Sequence, residues 1–110
     1  HVDLNSTTNK LIDARILKYC KNAFLINTSR GEVLNEVDVI KAIEDENLKG
    51  FAADVINNEA IDYKESELFK YNLTSESNII LTPHIGGNTY ESFEKTEKYV
   101  LDKLLNLINK

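Results

Sequence analysis

The 110-residue sequence contains one cysteine, one proline, and neither tryptophan nor methionine. The single cysteine, Cys20, excludes an internal disulfide, and no apolar run approaches the roughly 20 residues of a membrane-spanning helix. Basic residues are also few, because 13 lysines and arginines against 18 acidic residues give a net charge of -5. Without a basic cluster, the chain is not expected to bind nucleic acid or an anionic membrane. These features favour one domain in a reducing, cytoplasmic compartment.

Glycine is scarce as well, and its only positions are Gly31, Gly50, Gly86 and Gly87. The Gly-x-Gly-x-x-Gly turn that binds the pyrophosphate of a dinucleotide is therefore missing. The chain begins at His1, without a basic segment leading into an apolar one, so no signal peptide is predicted. We expect it to be part of a longer protein.

What the sequence does contain is a regular alternation of apolar patterns. Helical spacing of apolar residues predicts helices over 9–19, over 36–47, and from 89 to the C-terminus, the last one long and amphipathic. Continuous apolar runs predict buried strands over 23–26, 51–55 and 78–81, with Gly50 just before the second. The polar segment 57–77 predicts a long loop with one helical turn.

Buried strands that alternate with helices predict an α/β fold, in which a parallel sheet is covered on both faces. In such sheets, ligands bind beyond the carboxyl ends of the strands. Polar clusters follow the predicted strands at that edge: Asn27-Thr28-Ser29-Arg30-Gly31, then Asp54 and Glu59, then Thr82-Pro83-His84-Ile85-Gly86-Gly87. An arginine, a carboxylate and a histidine can orient an oxo acid and protonate its carbonyl, so this pattern indicates an oxidoreductase active site.

Arg30 and His84 carry most of this interpretation. The planar guanidinium of Arg30 can hold a carboxylate and a neighbouring keto oxygen, and Gly31 permits close approach of a ligand. His84 follows Pro83 and can give and take a proton near neutral pH. Taken singly, each also fits an ordinary loop residue, either a solvated arginine or a histidine bonded to backbone or water.

Two carboxylates complete the candidate set. Glu59 is the candidate partner that would stabilise the charged ring of His84 and fix its orientation, although other acidic residues surround it in the same loop. Asp54 ends an apolar strand, where a buried carboxylate needs a partner. It is therefore a candidate either to bind a polar ligand group or to cap the following turn.

Two other kinds of site fit the sequence less well. A metal site built from His1 and His84 lacks the closely spaced ligand pair that is typical of zinc, so no metal is predicted. Ser29 could serve as a nucleophile, but it lacks a Gly-x-Ser-x-Gly elbow. A hydrolase is the weaker enzyme interpretation.

Taken together, these segments resemble the C-terminal part of the NAD-binding domain of the D-isomer-specific 2-hydroxyacid dehydrogenases. The resemblance runs from His1-Val2-Asp3-Leu4 and Thr8-x-x-Leu11-Ile12, through Phe24-Leu25-Ile26-Asn27-Thr28-Ser29-Arg30-Gly31 and Ala53-Asp54-Val55, to Leu81-Thr82-Pro83-His84-Ile85-Gly86-Gly87. It implies a partial Rossmann-type parallel sheet with flanking helices and a long C-terminal helix. Within the family, the His-Ile-Gly-Gly-Asn-Thr run points to the phosphoglycerate dehydrogenase branch.

The family's mechanism implies a role for each candidate catalytic residue. Arg30 would bind the carboxylate and keto oxygen of a small 2-oxo acid. His84 would protonate the carbonyl as hydride arrives from the nicotinamide, and Glu59 would hold His84 protonated and oriented. In the oxidation of a D-2-hydroxy acid, these roles reverse.

The resemblance also implies NAD as the cofactor and a homo-oligomeric full-length protein. NADP stays an alternative, because the residue near the adenine ribose would lie upstream of this chain. Asp54 would contact the nicotinamide end of the cofactor. The full set expected around the cofactor is His1, Thr28, Ser29, Arg30, Asp54, His84, Gly86 and Gly87.

The sequence departs from the family pattern at several positions. Asp3 replaces the proline that is usual after His-Val, Ile56-Asn57-Asn58 precedes Glu59 where an aromatic residue and Glu-Pro are common, and the segment 60–77 is longer. Because the glycine-rich turn and the substrate domain are absent, residues 1–110 alone are expected to bind NAD weakly or not at all and to lack turnover. The alternative is a degenerate, non-catalytic module that uses the last helix for binding or oligomerisation.

Overall fold

The computed structural model describes residues 1–74 and 78–109. Its helices are α1 (Ala14–Leu17), α2 (Glu36–Glu44), α3 (Glu59–Asp62), α4 (Glu67–Thr74) and α5 (Tyr90–Ile108). Its strands are β1 (Ala23–Asn27), β2 (Leu48–Ala53) and β3 (Ile79–Leu81), and 3-10 turns span Gly31–Val33 and Tyr63–Glu65. Residues 75–77, at the end of the predicted loop, and residue 110, at the end of the last predicted helix, lie outside the described residues.

The strands form a three-stranded parallel sheet in the order β1-β2-β3. Asn27 pairs with Ala53, and Ala53 pairs with Leu81, so the three strands end level with one another. The core lies between this sheet and helices α1, α2 and α4, and its buried members are Leu17, Leu34, Val39, Ala42, Leu48, Phe51, Ala53, Leu68 and Ile79. The predicted α/β class with a parallel sheet is confirmed.

The described helices pack on one face of this sheet. The continuous apolar runs had predicted that helices would cover both faces. Successive side chains of a strand point to opposite faces. Leu25 packs against the core, but Phe24, Ile26 and Ile80 on the other face are 70%, 69% and 67% exposed. Both faces are apolar, yet only one of them has a packing partner within the described part of the chain.

The first helix is much shorter than the predicted range 9–19. Lys10 has a φ of 51°, a left-handed conformation that a right-handed helix does not contain. Ile12 then pairs with Leu34 in an isolated parallel bridge. Helix α1 begins only after Asp13, whose carboxylate caps it by accepting a hydrogen bond from the Arg15 N–H at 2.9 Å. A long-range pairing therefore overrides the local helical spacing.

The segment predicted as a loop with one helical turn is largely helical, since it contains α3, a 3-10 turn and α4. Helix α4 is stabilised because its first amides have acceptors. The Glu67 N–H donates to Glu36 Oε2 at 2.7 Å, and the Phe69 N–H donates to Ser66 Oγ at 3.1 Å. Leu68 is fully buried in the core. Glu36 is distant in sequence, so the local pattern does not reveal this cap.

The end of α2 and the start of β2 also differ slightly from the prediction. Helix α2 ends at Glu44, and Glu46, with a φ of 56°, takes the left-handed conformation that follows it. Gly50 lies inside β2 instead of preceding the strand.

The predicted long amphipathic C-terminal helix is present as α5. Thr89 caps it, since its side-chain Oγ1 accepts a hydrogen bond from the Ser92 N–H at 3.2 Å. The helix has 19 residues and none of them is buried. Its large apolar side chains are all at least 47% exposed, among them Phe93, Tyr99, Val100, Leu104, Leu107 and Ile108. The chain accordingly measures 60 Å along its longest axis but only 28 and 27 Å across.

Candidate active site

The carboxyl ends of the three strands bring the predicted site residues to one edge of the sheet. Hydrogen bonding continues just past the strands, where the Asp54 N–H donates to the Asn27 carbonyl at 3.1 Å and the Thr82 N–H donates to the Ala53 carbonyl at 2.9 Å. Neighbouring strands lie about 4.8 Å apart, so the loops that carry Arg30 and His84 start roughly 10 Å apart. The Asp54 loop starts between them.

The shortest contact between predicted catalytic residues joins His84 to Glu59. His84 Nδ1 lies 2.6 Å from Glu59 Oε1, which is an ion pair whenever the ring is protonated. Glu59 Oε2 accepts a hydrogen bond from the Ile56 N–H at 3.2 Å, which restrains the carboxylate group. The His84 side chain is 47% exposed and that of Glu59 is 25% exposed. Since Nδ1 is engaged, Nε2 is the ring nitrogen through which His84 can exchange a proton with a ligand.

His84 lies on a tightly turned loop. Its N–H donates to the Thr82 carbonyl at 3.0 Å across Pro83, which forms a three-residue turn. Its φ is 52°, in the left-handed region. This conformation costs a non-glycine residue roughly 1 kcal/mol or more, so surrounding contacts must hold the loop in place.

Asp54 supplies those contacts. Its Oδ1 accepts hydrogen bonds from Thr82 Oγ at 2.5 Å and from the Ile85 N–H at 2.9 Å, and its Oδ2 accepts one from the Gly86 N–H at 2.6 Å. The Thr82 hydrogen bond is the main cause that holds the pKa of Asp54 below its usual 3.8; the two amides and the charge of His84 lower it further, against the opposing effect of burial. The roles expected for Asp54 from the sequence were ligand binding or capping of the following turn; its hydrogen bonds to the His84 loop were not expected.

Glycine is required where this loop meets the carboxylate. A Cβ added to Gly86 would lie 2.6 Å from Asp54 Oδ2, well inside ordinary van der Waals contact. Gly87 follows with a φ of 81°. The pair of glycines therefore allows the loop to close on Asp54 while His84 stays at the surface.

The Arg30 loop is organised by Asn27, a buried residue to which sequence analysis gave no site role. Asn27 Oδ1 accepts hydrogen bonds from the Ser29 N–H and hydroxyl at 3.1 and 3.0 Å, and Asn27 Nδ2 donates to the Arg30 carbonyl at 3.0 Å. The Arg30 side chain is exposed, and its Nη1 donates to the Ser29 carbonyl at 2.6 Å. Among the described residues no carboxylate forms an ion pair with it, so the guanidinium can bind an anionic ligand. In the sequence, the feature that could have identified Asn27 is its position as a polar residue at the end of an apolar run.

The predicted residues fall into two neighbouring groups. Arg30 lines a cavity of about 380 Å³ that it shares with His1, Val2, Asp3, Leu4, Thr28 and Ser29. Glu59 and His84 border a second, more apolar depression of about 750 Å³, whose other lining residues include Ile56, Tyr63 and Phe69. Asp54, Gly86 and Gly87 join the second group through the His84 loop.

Gly31 and Glu36 connect the Arg30 loop to the Glu59 loop. Neither residue was predicted from the sequence to support the site. A Cβ added to Gly31 would lie 2.1 Å from the Ile56 carbonyl carbon and 2.4 Å from the Asn57 nitrogen, so the two loops touch backbone to backbone. Glu36 is 3% exposed and accepts a hydrogen bond from the Asn57 N–H at 2.8 Å. In the sequence, Glu36 looks like any acidic residue in the first turn of a helix.

The described residues contain no group of three or more histidine, cysteine or acidic side chains arranged to hold a metal ion. His1 and His84, the histidines considered as metal ligands, lie in the two different groups. Across the same described residues, no helix combines the length and apolar character needed to cross a membrane.

Comparison with known proteins identifies the family. The sequence model of the D-isomer specific 2-hydroxyacid dehydrogenase NAD binding domain matches residues 1–86. The chain belongs to this family. The resemblance drawn from the sequence motifs is thereby confirmed, as is NAD as the cofactor of the family.

Individual relatives agree with this assignment. Glyoxylate reductase of Thermococcus litoralis is 38% identical over 120 aligned residues, which cover 100% of this chain and 34% of that protein. The NAD-complexed D-isomer specific 2-hydroxyacid dehydrogenase of Lactobacillus delbrueckii ssp. bulgaricus superposes with a TM-score of 0.83 at 27% identity, over 99% of this chain and 35% of that one. A D-lactate dehydrogenase of Sporolactobacillus superposes with a TM-score of 0.73 at 32% identity, over 98% and 35% of the two chains.

These dehydrogenases are much longer than this chain, which spans about a third of the length of the curated relatives that it matches. Their fold confirms the expected Rossmann-type class of the three-stranded sheet. The arrangement at its edge combines an exposed guanidinium with a histidine–carboxylate pair. Chemically, it can bind an anion on one side and exchange a proton on the other.

Proposed function

We propose that this chain is the C-terminal portion of the NAD-binding domain of a larger dehydrogenase that interconverts 2-oxo acids and D-2-hydroxy acids. The observation that carries the proposal is the 2.6 Å contact between His84 Nδ1 and Glu59 Oε1, at the same edge of the sheet as the exposed Arg30. The contact gives His84 the carboxylate partner that stabilises a protonated ring and fixes its orientation. Membership of the dehydrogenase family supports the same reaction class.

In the proposed reaction, Arg30 binds the substrate carboxylate and steadies the keto oxygen through its planar fork of N–H donors. His84 donates the proton on Nε2 to the carbonyl oxygen while the carbonyl carbon gains a hydride, so the ketone is reduced to an alcohol. Glu59 holds the ring by its Nδ1 and balances its positive charge. In the reverse direction, neutral His84 accepts the hydroxyl proton.

The site residues fit a nicotinamide cofactor, which supplies or accepts the hydride when bound. Asp54 Oδ2 accepts one hydrogen bond from the Gly86 N–H, so it retains capacity for a second donor such as a carboxamide. The cavity bordered by His1, Thr28, Ser29 and Arg30 offers further hydrogen-bonding groups on the other side of the edge. We assign NAD to this edge, with NADP as the alternative.

We further propose that residues 1–110 alone bind NAD weakly and do not turn over substrate. The sheet formed by the described residues has three strands, and the four glycines of the sequence are not spaced as a pyrophosphate-binding turn. The full-length protein would act in the cytoplasm on small 2-oxo or 2-hydroxy acids and would form a homo-oligomer.

The test is NADH oxidation by the full-length protein with a panel of 2-oxo acids that includes glyoxylate, pyruvate and phosphohydroxypyruvate. Arg30→Gln and His84→Asn are both expected to lower kcat/KM by at least about 100-fold, since each removes a group that acts on the reacting atoms. Arg15→Gln is the matched control, because Arg15 is an exposed arginine that pairs with Asp13 and lines neither of the two cavities that hold the candidate residues. Measurable NADH binding without turnover on any acid would overturn the proposed activity.

That outcome would favour the second candidate, a non-catalytic module for binding or oligomerisation. The observation in its favour is α5, whose apolar residues are exposed along its whole length. Sedimentation velocity of the full-length protein, with and without Leu104→Glu in α5, separates the two candidates. A module of this kind would dissociate on that change while lacking turnover from the start.

A further inference from the structure

Glu36 is a buried carboxylate that the proposed reaction does not use. It is 3% exposed, and no lysine or arginine pairs with it among the described residues. Its Oε1 accepts hydrogen bonds from the Asn57 N–H at 2.8 Å and from Ser66 Oγ at 2.9 Å. Its Oε2 accepts from Ser66 Oγ at 3.0 Å, from the Glu67 N–H at 2.7 Å and from the Leu68 N–H at 3.3 Å. Every partner is a donor, which is the pattern that an ionised carboxylate requires.

These partners lie on both sides of Glu59. Asn57 comes just before it in the chain, and beyond it Ser66 precedes α4, whose first residues are Glu67 and Leu68. The carboxylate of Glu36 therefore holds both ends of the segment that presents Glu59 to His84. Glu36 is the first residue of α2, the helix that also contributes the fully buried Val39 to the core.

The segment before Glu59 does not hold its own conformation. Asn57 Oδ1 is buried and lacks a hydrogen-bond partner within the described part of the chain. Asn58 has a φ of 60°, in the left-handed region. Each of these features costs roughly 1 kcal/mol or more, so the conformation persists because external contacts impose it. Helix α3, which begins at Glu59, has only 4 residues and cannot supply that restraint by itself.

We propose that Glu36 is a positioning residue for the reaction: its buried carboxylate fixes the 56–58 segment and thereby holds Glu59 at hydrogen-bonding distance from His84. This inference rests on the proposed dehydrogenase function. Glu36 touches neither substrate nor cofactor and acts only through Glu59. When the hydrogen bond from the Asn57 N–H to Glu36 is lost, the Glu59 carboxylate moves. A displacement of about 1 Å near reacting groups lowers turnover by up to about 100-fold.

The test is a double-mutant cycle in the full-length protein with Glu36→Gln and Glu59→Gln. The glutamine amide places an N–H group against either the Asn57 N–H or the Glu67 N–H, so one end of the segment is released. Glu36→Gln is expected to lower kcat by about tenfold or more while the KM for NADH changes by less than about twofold. In the Glu59→Gln background, the same change is expected to alter kcat by less than about twofold, because its effect passes through Glu59.

Leu48→Ala is the control for stability alone, since it removes buried volume at the first residue of β2, at the opposite end of the sheet from the Glu36 carboxylate. It should lower the melting temperature and leave kcat unchanged. An equal loss of kcat from Glu36→Gln in both backgrounds would overturn the inference, as would a lowered melting temperature with normal kcat. If Glu36→Gln does not fold, Glu36→Asp enters the same cycle, because its shorter side chain keeps the charge but cannot reach both ends of the segment. Absence of turnover in the wild type overturns the proposed function itself, which distinguishes the two failures.

Discussion

Gly31→Ala provides a sharp test of how the loops at the edge of the sheet are held together. The added Cβ would lie 2.1 Å from the Ile56 carbonyl carbon, 2.3 Å from the Ile56 oxygen and 2.4 Å from the Asn57 nitrogen. Restoring ordinary contact near 3.4 Å requires the two loops to separate by about 1.3 Å. The neighbouring atoms are backbone, so no side chain can turn away to relieve the clash.

The energetic consequence follows from this separation. Overpacking of a well-packed site costs about 1–3 kcal/mol. The 2.8 Å hydrogen bond from the Asn57 N–H to the Glu36 carboxylate is stretched beyond bonding distance, and a hydrogen bond to a charged group contributes about 1.5–3 kcal/mol. We therefore expect the free energy of unfolding to fall by about 3–5 kcal/mol. The Arg30 loop also shifts relative to Glu59, which should lower kcat/KM by up to about 100-fold.

Stability is measured by urea denaturation followed by far-ultraviolet circular dichroism, since the chain has no tryptophan. Turnover is measured in the full-length protein, under conditions in which the variant remains folded. Gly50→Ala is the matched control, because its Cβ would lie 2.9 Å from the Asn78 carbonyl oxygen, inside the sheet and away from the strand ends. It should lose stability but keep its kcat/KM once folded. Wild-type stability and turnover in Gly31→Ala would refute the close contact on which this reasoning depends.

Three further predictions address the loop brace, the core and the last helix. Because the folded-state pKa of Asp54 is lowered, its ionised form stabilises the fold above about pH 4, and this contribution is lost as the pH falls through the folded-state pKa. The stability gap between wild type and Asp54→Asn in urea titrations should therefore be widest near pH 7 and close in acid, and a constant gap would contradict the brace. Leu68→Ala should lower the free energy of unfolding by about 2–5 kcal/mol in the same assay, because Leu68 is fully buried; a loss below about 1 kcal/mol would place it outside the core. Deleting residues 90–110 from the 110-residue chain should leave its thermal unfolding midpoint unchanged, since no residue of α5 is buried. A large decrease would show that α5 packs against the rest of the chain.

Much of the architecture could be read from the sequence because local patterns report local structure. The apolar runs at 23–26, 51–55 and 78–81 lie at or near the three strands, and the amphipathic stripe after Thr89 is α5. The predictions failed where a distant residue supplies the decisive contact. Helix α4 depends on Glu36 for its cap, and the early helix is interrupted because Ile12 pairs with Leu34. Spacing along the chain carries no information about such partners.

The candidate site, like the fold, was predicted only in part from the sequence. The residue types of Arg30, Glu59 and His84 and their positions after strands were visible in the motifs, because parallel strands deliver their carboxyl ends to one edge of a sheet. The motifs did not reveal that Asp54 hydrogen-bonds the His84 loop, because the sequence does not give the order of the strands and so does not show that β2 and β3 are neighbours. They also did not reveal the contact between Gly31 and the 56–57 backbone.

The sequence by itself determined the chemical groups, the α/β class and the family, because these depend on residue identity and on periodicity along the chain. Only the tertiary structure decided that Glu59 lies 2.6 Å from His84 and that the buried Glu36 binds the Asn57 N–H in the segment that precedes Glu59. The physical reason is that these contacts join residues from different strands and helices. Their distances are set by how the sheet and helices pack, and packing is a property of the whole fold.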